Sequence, residues 1–266
     1  MRLSKLHGLG NDFLVALLEG EPAELDVLAR TWCDRRTGIG ADGFIVGCPP
    51  AADSGADLRM ILHNADGSRA EMSGNGIRCL AHAAARAAGR GAVTLVIDTD
   101  GGRRIVTVDG DGERVSASVD MGEVGEGPVV PGALASSLEG VRFATADVGN
   151  PHLVVCVEDL VAVDVAEVGS RYEGYFPEGM NVEFIAPSGD EGGTLDLRVW
   201  ERGVGVTQAC GTGAVAGATR AVGWGMVDSP VRVRMPGGDV LVEVGATAVL
   251  VGPSVFVADI EWSGPR

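Results

Sequence analysis

Two short phrases in this chain combine reactive side chains with unusual backbone freedom. Ser73-Gly74-Asn75-Gly76 and Cys210-Gly211-Thr212-Gly213 each set a hydroxyl or thiol at the head of a glycine turn, and each opens an alanine-rich run, 76–88 and 213–222. A glycine turn at a helix start leaves backbone N–H groups without intrahelical partners, and with the helix dipole they form an anion site. Glycine also lets the anion approach the backbone closely. A thiol in such a turn is expected to have its pKa lowered from about 8.5, because the same donors stabilise the thiolate. The plain alternative is a pair of tight strand-to-helix turns without chemistry.

The neighbouring residues weigh against that alternative. His63-Asn64-Ala65-Asp66-Gly67-Ser68 precedes the first phrase, and Glu201-Arg202-Gly203-Val204-Gly205-Val206-Thr207 precedes the second. Elsewhere stand Gly10-Asn11-Asp12-Phe13, Gly149-Asn150-Pro151-His152 and Gly179-Met180-Asn181-Val182-Glu183. Any one of these asparagines reads as a turn residue. Together, polar side chains in glycine turns at strand ends are where amino and carboxylate groups of a small substrate would be gripped.

The elements that must hold these phrases are mostly short strands. Segments 12–18, 44–48, 57–63, 93–98, 103–108 and 114–120 read as strands, as do 144–148, 153–157, 181–186, 194–201, 231–235, 239–244, 248–252 and 254–260. Helices are expected at 25–33 and 161–168, besides the two alanine-rich runs. Small residues around most of a helix suit one enclosed on nearly all sides. Two matching phrases, each before such a helix and half a chain apart, point to an internal duplication. The expected boundary lies near 118–130, giving halves of 1–118 (joined by a C-terminal strand, 256–266) and 119–255. The fold class is α+β, with two pseudo-symmetric halves, each a mostly antiparallel, barrel-like sheet around a central helix.

Composition excludes several functions. With 21 Lys+Arg against 37 Asp+Glu the formal charge is −16, a poor match for nucleic acid, whose phosphates need a basic face. No apolar run approaches the ~18 residues of a membrane span, and the opening residues do not resemble a signal peptide. The five cysteines are scattered without a CxxC pair, and the four histidines show no ligand spacing, so neither a disulfide framework nor a metal site is expected. A reduced, cytoplasmic protein follows.

The segments HGLGNDF, DRRTGIGADGF, HNADGSRAEMSGNGIRC, DVGNPHLV, GMNVEF and ERGVGVTQACGTGAVA, with the closing PGGDVLVEV and GPSVFVADI, resemble the diaminopimelate epimerase family in order and spacing. The resemblance covers essentially the whole chain. It implies a pyridoxal-free isomerase, needing no cofactor, that inverts the α-carbon of ll-diaminopimelate to give the meso form, a precursor of lysine and peptidoglycan. It also implies an active site in a cleft between the halves, with two cysteines facing opposite sides of the α-carbon, one taking a proton and the other giving one. Carried over by motif, Asn11, Asn64, Asn150, Asn181, Glu201 and Arg202 bind the diaminodicarboxylate. Gly74, Asn75, Gly211 and Thr212 cradle its carboxylate, and His152 stands beside the site. The resemblance extends to a homodimer, for which the sequence shows no interface.

One position departs from the family pattern. Where that pattern has its first catalytic cysteine, this chain has Ser73, so only Cys210 remains of the pair. Cys79 lies about 9 Å further along the helix at 1.5 Å per residue, too far to substitute. A hydroxyl is a far weaker acid than a thiol. Three readings stand: a natural proton donor working through water, a residue introduced to trap a substrate complex, or a relative using Cys210 as a single base for elimination or a double-bond shift. A ligand-binding protein without turnover is the non-catalytic alternative.

Overall fold

The computed structural model describes residues 1–188 and 193–262; positions 263–266 of the expected C-terminal strand lie outside them. The chain forms two compact units, Met1–Val119 with the stretch from Val251 onward, and Asp120–Leu250.

In the first unit the elements run β1 (Arg2–Gly8), β2 (Asn11–Leu17), α1 (Leu25–Cys33), β3 (Gly43–Cys48), β4 (Leu58–Asn64), β5 (Arg69–Ala70), α2 (Gly74–Ala87), β6 (Ala92–Thr99), β7 (Gly102–Asp109) and β8 (Arg114–Gly122). The second unit adds α3 (Gly132–Ser137), β9 (Phe143–Asp147), β10 (Pro151–Cys156), α4 (Val165–Glu173), β11 (Asn181–Pro187), β12 (Thr194–Glu201), β13 (Gly205–Thr207), α5 (Gly211–Gly223), β14 (Val231–Met235) and β15 (Gly238–Val244). The chain leaves the first unit within β8 and returns to it within β16 (Ala248–Glu261).

The first unit is a closed barrel in the order β1-β2-β3-β4-β6-β7-β8-β16, with β16 pairing back onto β1. Helix α2 runs through it, packing on β1, β2, β3, β4, β6 and β7. Helix α1 covers the outside, where Leu25, Ala29 and Trp32 meet Leu14, Phe44 and Val46. Strand β3 is therefore buried along its whole length, which is why it reads as a continuous apolar run rather than an alternation.

The second unit repeats the scheme, with β9-β10-β11-β12-β14-β15 in order and α5 against all six strands. The pairing senses match strand for strand. Antiparallel β1–β2, parallel β2–β3, antiparallel β3–β4, parallel β4–β6 and antiparallel β6–β7 correspond to β9–β10, β10–β11, β11–β12, β12–β14 and β14–β15. The expected duplication is thus a repeat of fold as well as of phrase.

Several boundaries differ from the sequence expectation. Strand β1 carries no clean alternation because a register shift falls between Lys5 and Leu6, so its buried Leu3 and Leu6 are out of step with period two. The expected strands 248–252 and 254–260 are one strand, β16, passing through Pro253. Helix α4 begins later than 161, at the point where the Asp164 side chain accepts the Glu167 N–H. No helix among the described residues is long and apolar enough to cross a membrane.

Candidate active site

Both reactive phrases form the starts of the enclosed helices. Ser73 is the N-cap of α2, its Oγ accepting the Gly76 N–H at 3.0 Å. Cys210 is the N-cap of α5, its Sγ accepting the Gly213 N–H at 3.3 Å. Each helix thus presents first-turn amides, Gly74 and Asn75 in one and Gly211 and Thr212 in the other, that lack intrahelical acceptors by geometry. The third residue of each helix is glycine because something stands beneath it. A Cβ on Gly76 would lie 3.0 Å from Ile45 Cδ1, and one on Gly213 would lie 2.6 Å from Glu183 Oε1.

In the second unit the expected residues form one connected group. Cys210 Sγ lies 3.4 Å from Thr212 Oγ1, which accepts from Asn150 Nδ2 at 3.4 Å. Asn150 Oδ1 is 2.9 Å from His152 Nε2, and His152 Nδ1 is 2.7 Å from Glu183 Oε1. Asn181 donates to the Pro151 carbonyl and accepts the Arg202 backbone N–H, both at 2.9 Å, so it ties the start of β10 to the turn after β12. The Thr207 hydroxyl donates to Glu201, whose carboxylate also hydrogen-bonds the Cys210 thiol.

These contacts set the proton affinities. Burial, then the Glu183 charge, pushes Glu201 up to about 7 against hydrogen bonds from Thr207 and Cys210 that pull it down. Glu201 keeps some exposed surface, and water reaching that edge would lower the value. Cys210 is raised well above the usual thiol range, first by burial and then by the Glu201 and Glu183 carboxylates. The sequence expectation of a lowered thiol is therefore wrong in direction. The helix N-terminus and Thr212 do favour the thiolate, but burial and two carboxylates outweigh them.

In the first unit the expected residues are joined more loosely. Asn75 Nδ2 donates to Asn11 Oδ1 at 3.1 Å, and Asn11 Nδ2 to Asp42 Oδ2 at 3.0 Å. Asn64 instead donates to Ser68 Oγ at 3.0 Å within its own hairpin. Among the described residues of this unit the Ser73 hydroxyl is engaged by the Gly76 N–H. Cys79 is fully buried within α2, its thiol pushed up to about 12 by burial, in keeping with its exclusion as a substitute.

Four further side chains join these networks without having been assigned a site role from the sequence: Asp42, Arg78, Glu183 and Thr207. Arg78 is fully buried, with its guanidinium donating to the Gly74 carbonyl at 3.0 Å, Asn75 Oδ1 at 2.7 Å and the Pro253 carbonyl at 3.3 Å. Burial lowers it to about 10. Glu183 is a lone charge within the buried, largely apolar run of β11, a signal visible in the sequence. Among the described residues no group of three or more His, Cys, Asp or Glu side chains is placed to hold a metal. A cavity of about 600 Å³ opens at the other end of α2, among His82, Arg86, Arg90, Asp111 and Asp259, and none of the residues discussed above lines it.

The comparisons with known proteins agree in kind. A family model described as "Diaminopimelate epimerase" matches residues 3–125 and 144–257. The diaminopimelate epimerase of Desulforudis audaxviator is 40% identical over 98% of this chain and 99% of its own length. That of Mycobacterium avium is 41% identical over 99% of this chain and 97% of its own. Among solved structures, a hydroxyproline epimerase from Agrobacterium vitis with bound trans-4-hydroxy-L-proline superposes with a TM-score of 0.75, covering 98% of this chain and 91% of that one. At 18% identity it speaks for the fold alone.

Proposed function

The chain belongs to the diaminopimelate epimerase family, and from that premise we propose that Cys210 and Ser73 are the residues that exchange protons with the α-carbon as ll-diaminopimelate is converted to the meso form. The single observation that carries this reading is the pairing of the Cys210 thiol with the Glu201 carboxylate at the start of α5. Glu201, with its proton affinity near neutrality, accepts the thiol proton. The thiolate then takes the α-proton, and the electron pair left behind spreads into the substrate carboxylate. First-turn amides of Gly74, Asn75, Gly211 and Thr212 hold that carboxylate as its charge grows. A proton from the Ser73 hydroxyl, replaced from water, completes inversion on the other face. Asn11, Asn64, Asn150, Asn181 and Arg202 grip the remaining amino and carboxylate groups, with His152 in support.

Transfer of the α-hydrogen to and from solvent deuterium, with no cofactor added, tests the proposal on each stereoisomer. Exchange is expected with the protein as it stands. The Cys210→Ala variant should lose it by about 10²–10⁴-fold, the usual worth of a positioned acid or base. Absence of exchange with both stereoisomers overturns the reading. The five free thiols support a reducing, cytoplasmic setting. A homodimer belongs to the same proposal, and sedimentation velocity checks it.

A further inference from the structure

The two units differ at one buried position in a way the repeat does not require. Strands β3 and β11 follow the same register from their parallel partners, Phe13↔Gly43 in one and His152↔Asn181 in the other. This aligns Ile45 with Glu183. Both sit beneath the glycine at the third position of their helix, one as an apolar plug and the other as a carboxylate. Glu183 is fully buried, and among the described residues its Oε2 has no hydrogen-bond partner. Burying a carboxylate costs several kcal/mol unless it is partnered, and among the described residues the side chain that hydrogen-bonds it is His152.

The direction of the hydrogen bonds shows what that partner gains. Asn150 turns its carbonyl oxygen to His152 Nε2, so this nitrogen must carry a hydrogen. A neutral ring with its hydrogen on Nε2 would then face Glu183 with a bare lone pair on Nδ1. The contact at 2.7 Å is attractive only when a further proton lies between Nδ1 and Oε1, on either atom. The acid thus supplies the condition for an Nε2–H. That hydrogen pins the Asn150 carbonyl and leaves the Asn150 NH₂ to donate to Thr212 Oγ1. With its oxygen occupied as an acceptor, the Thr212 hydroxyl has its own hydrogen free for Cys210 Sγ.

We propose that Glu183 is a positioning residue for the Cys210 thiol, acting through His152, Asn150 and Thr212 by fixing the direction of their hydrogen bonds. The inference rests on the reading of Cys210 as the residue that takes the α-proton. It makes Thr212 a donor to the thiolate at the moment the thiolate forms, while Glu201 takes the proton released. The carboxylates that face the sulfur are Glu201 from β12 and Glu183 from β11.

Histidine labelled with ¹⁵N reads the arrangement directly, because long-range ¹H–¹⁵N spectra show which ring nitrogens carry hydrogen. The expected result is an Nε2–H on His152 in the unaltered protein and in Glu183→Gln, whose amide can donate to Nδ1. A His152 ring with hydrogen on Nδ1 alone in the unaltered protein overturns the proposal. Glu183→Ile, which copies the first unit, is expected to keep binding diaminopimelate by calorimetry. Its exchange should fall by about 10–100-fold, the range seen when orienting partners of metal-bound histidines are removed, while Glu183→Gln recovers most of the rate. Full exchange in a folded Glu183→Ile overturns the proposal as well. If that variant does not fold, the ring spectrum and Glu183→Gln decide. If the unaltered protein exchanges neither stereoisomer, the functional reading fails, whereas the spectrum still reports on the hydrogen-bond direction.

Discussion

The two units share strand order, pairing sense and capped central helix, yet they have been furnished for different work. Around Cys210 stand His152, Glu183 and Glu201, three groups able to hold or pass a proton. Matching register positions in the first unit hold Phe13, Ile45 and Asn64, which can do neither. What the first unit has instead is a chain of amide and guanidinium donors, from Arg78 through Asn75 and Asn11 to Asp42. On the proposed reading, the second copy carries the acids that take up the thiol proton, while the first offers only the Ser73 hydroxyl beside a fixed polar surface. The comparison also shows how little the scaffold constrains the site, since the helix start supplies amides in both and the side chains beneath it decide the chemistry.

The sharpest way to break that contrast, after removal of the thiol itself, is to make the second unit resemble the first at Glu201. Glu201→Gln should lower exchange by about 10²-fold, since a neutral amide cannot accept the thiol proton. It should also change the pH profile. With Glu201 at about 7, exchange in the unaltered protein is expected to fall as pH drops through that region, and the fall should disappear in the variant. Stability moves in the opposite sense. A carboxyl raised on folding contributes fully below its unfolded value near 4.5, and that contribution is lost as pH rises to about 7. At pH 8 the variant should therefore be the more stable, by about 1–2 kcal/mol after allowing for water at the exposed edge. Urea melts at pH 5 and pH 8 check this, and equal differences at the two values would remove Glu201 as the titrating group.

How much of this was legible beforehand follows from range along the chain. The two N-caps and their glycines are local features, and the sequence shows them plainly. Strands with clean alternation or a continuous apolar run were found for the same reason. Strand β1 was hidden because its register shift spoils the alternation between Leu3 and Leu6. The start of α4 depended on choosing Asp164 as the cap over earlier residues. The sign of the Cys210 shift could not be read locally at all. It is set first by burial and then by carboxylates on β11 and β12, all of which only folding brings to the thiol, where the local rule for helix starts predicts the reverse. Arg78 was missed likewise, since one of its acceptors is the carbonyl of Pro253, far along the chain.

A smaller effect tests whether the units are interchangeable in packing as well as chemistry. Gly47 in β3 faces Leu80 in α2, whereas the matching positions in the second unit are Ile185 and Gly217, with the glycine moved from strand to helix. A Cβ on Gly47 would lie 2.6 Å from Leu80 Cδ1 and 2.9 Å from Leu17 Cδ2. Gly47→Ala is expected to destabilise by about 1–3 kcal/mol through overpacking. Leu80→Ala alone leaves a cavity costing about 2–5 kcal/mol. If the same space is shared, the double variant should be more stable than the sum predicts by about 1 kcal/mol. Simple additivity in denaturant melts would mean that strand and helix do not compete for that volume.

The smallest expected change in stability belongs to the residue that most distinguishes the units, Ser73. Its hydroxyl is a good helix cap, and sulfur is a weaker acceptor, so Ser73→Cys should cost at most about 1 kcal/mol. The chemical consequence is larger than the structural one. A thiol at 73 would receive the Gly76 N–H, as Cys210 receives that of Gly213. Within its own unit it would have Ile45 below it where Cys210 has Glu183, and Asn64 in the place of Glu201. The helix N-terminus would then act without two opposing carboxylates, and the introduced thiol should ionise at lower pH than Cys210 does. Alkylation rate against pH, measured for Ser73→Cys in a Cys210→Ala background and for Cys210 in the unaltered protein, compares the two directly. In the single variant, net inversion should rise relative to exchange, because a stronger acid now delivers the second proton. An introduced thiol that ionises no more readily than Cys210 would mean that the buried carboxylates do not account for the difference between the two helix starts.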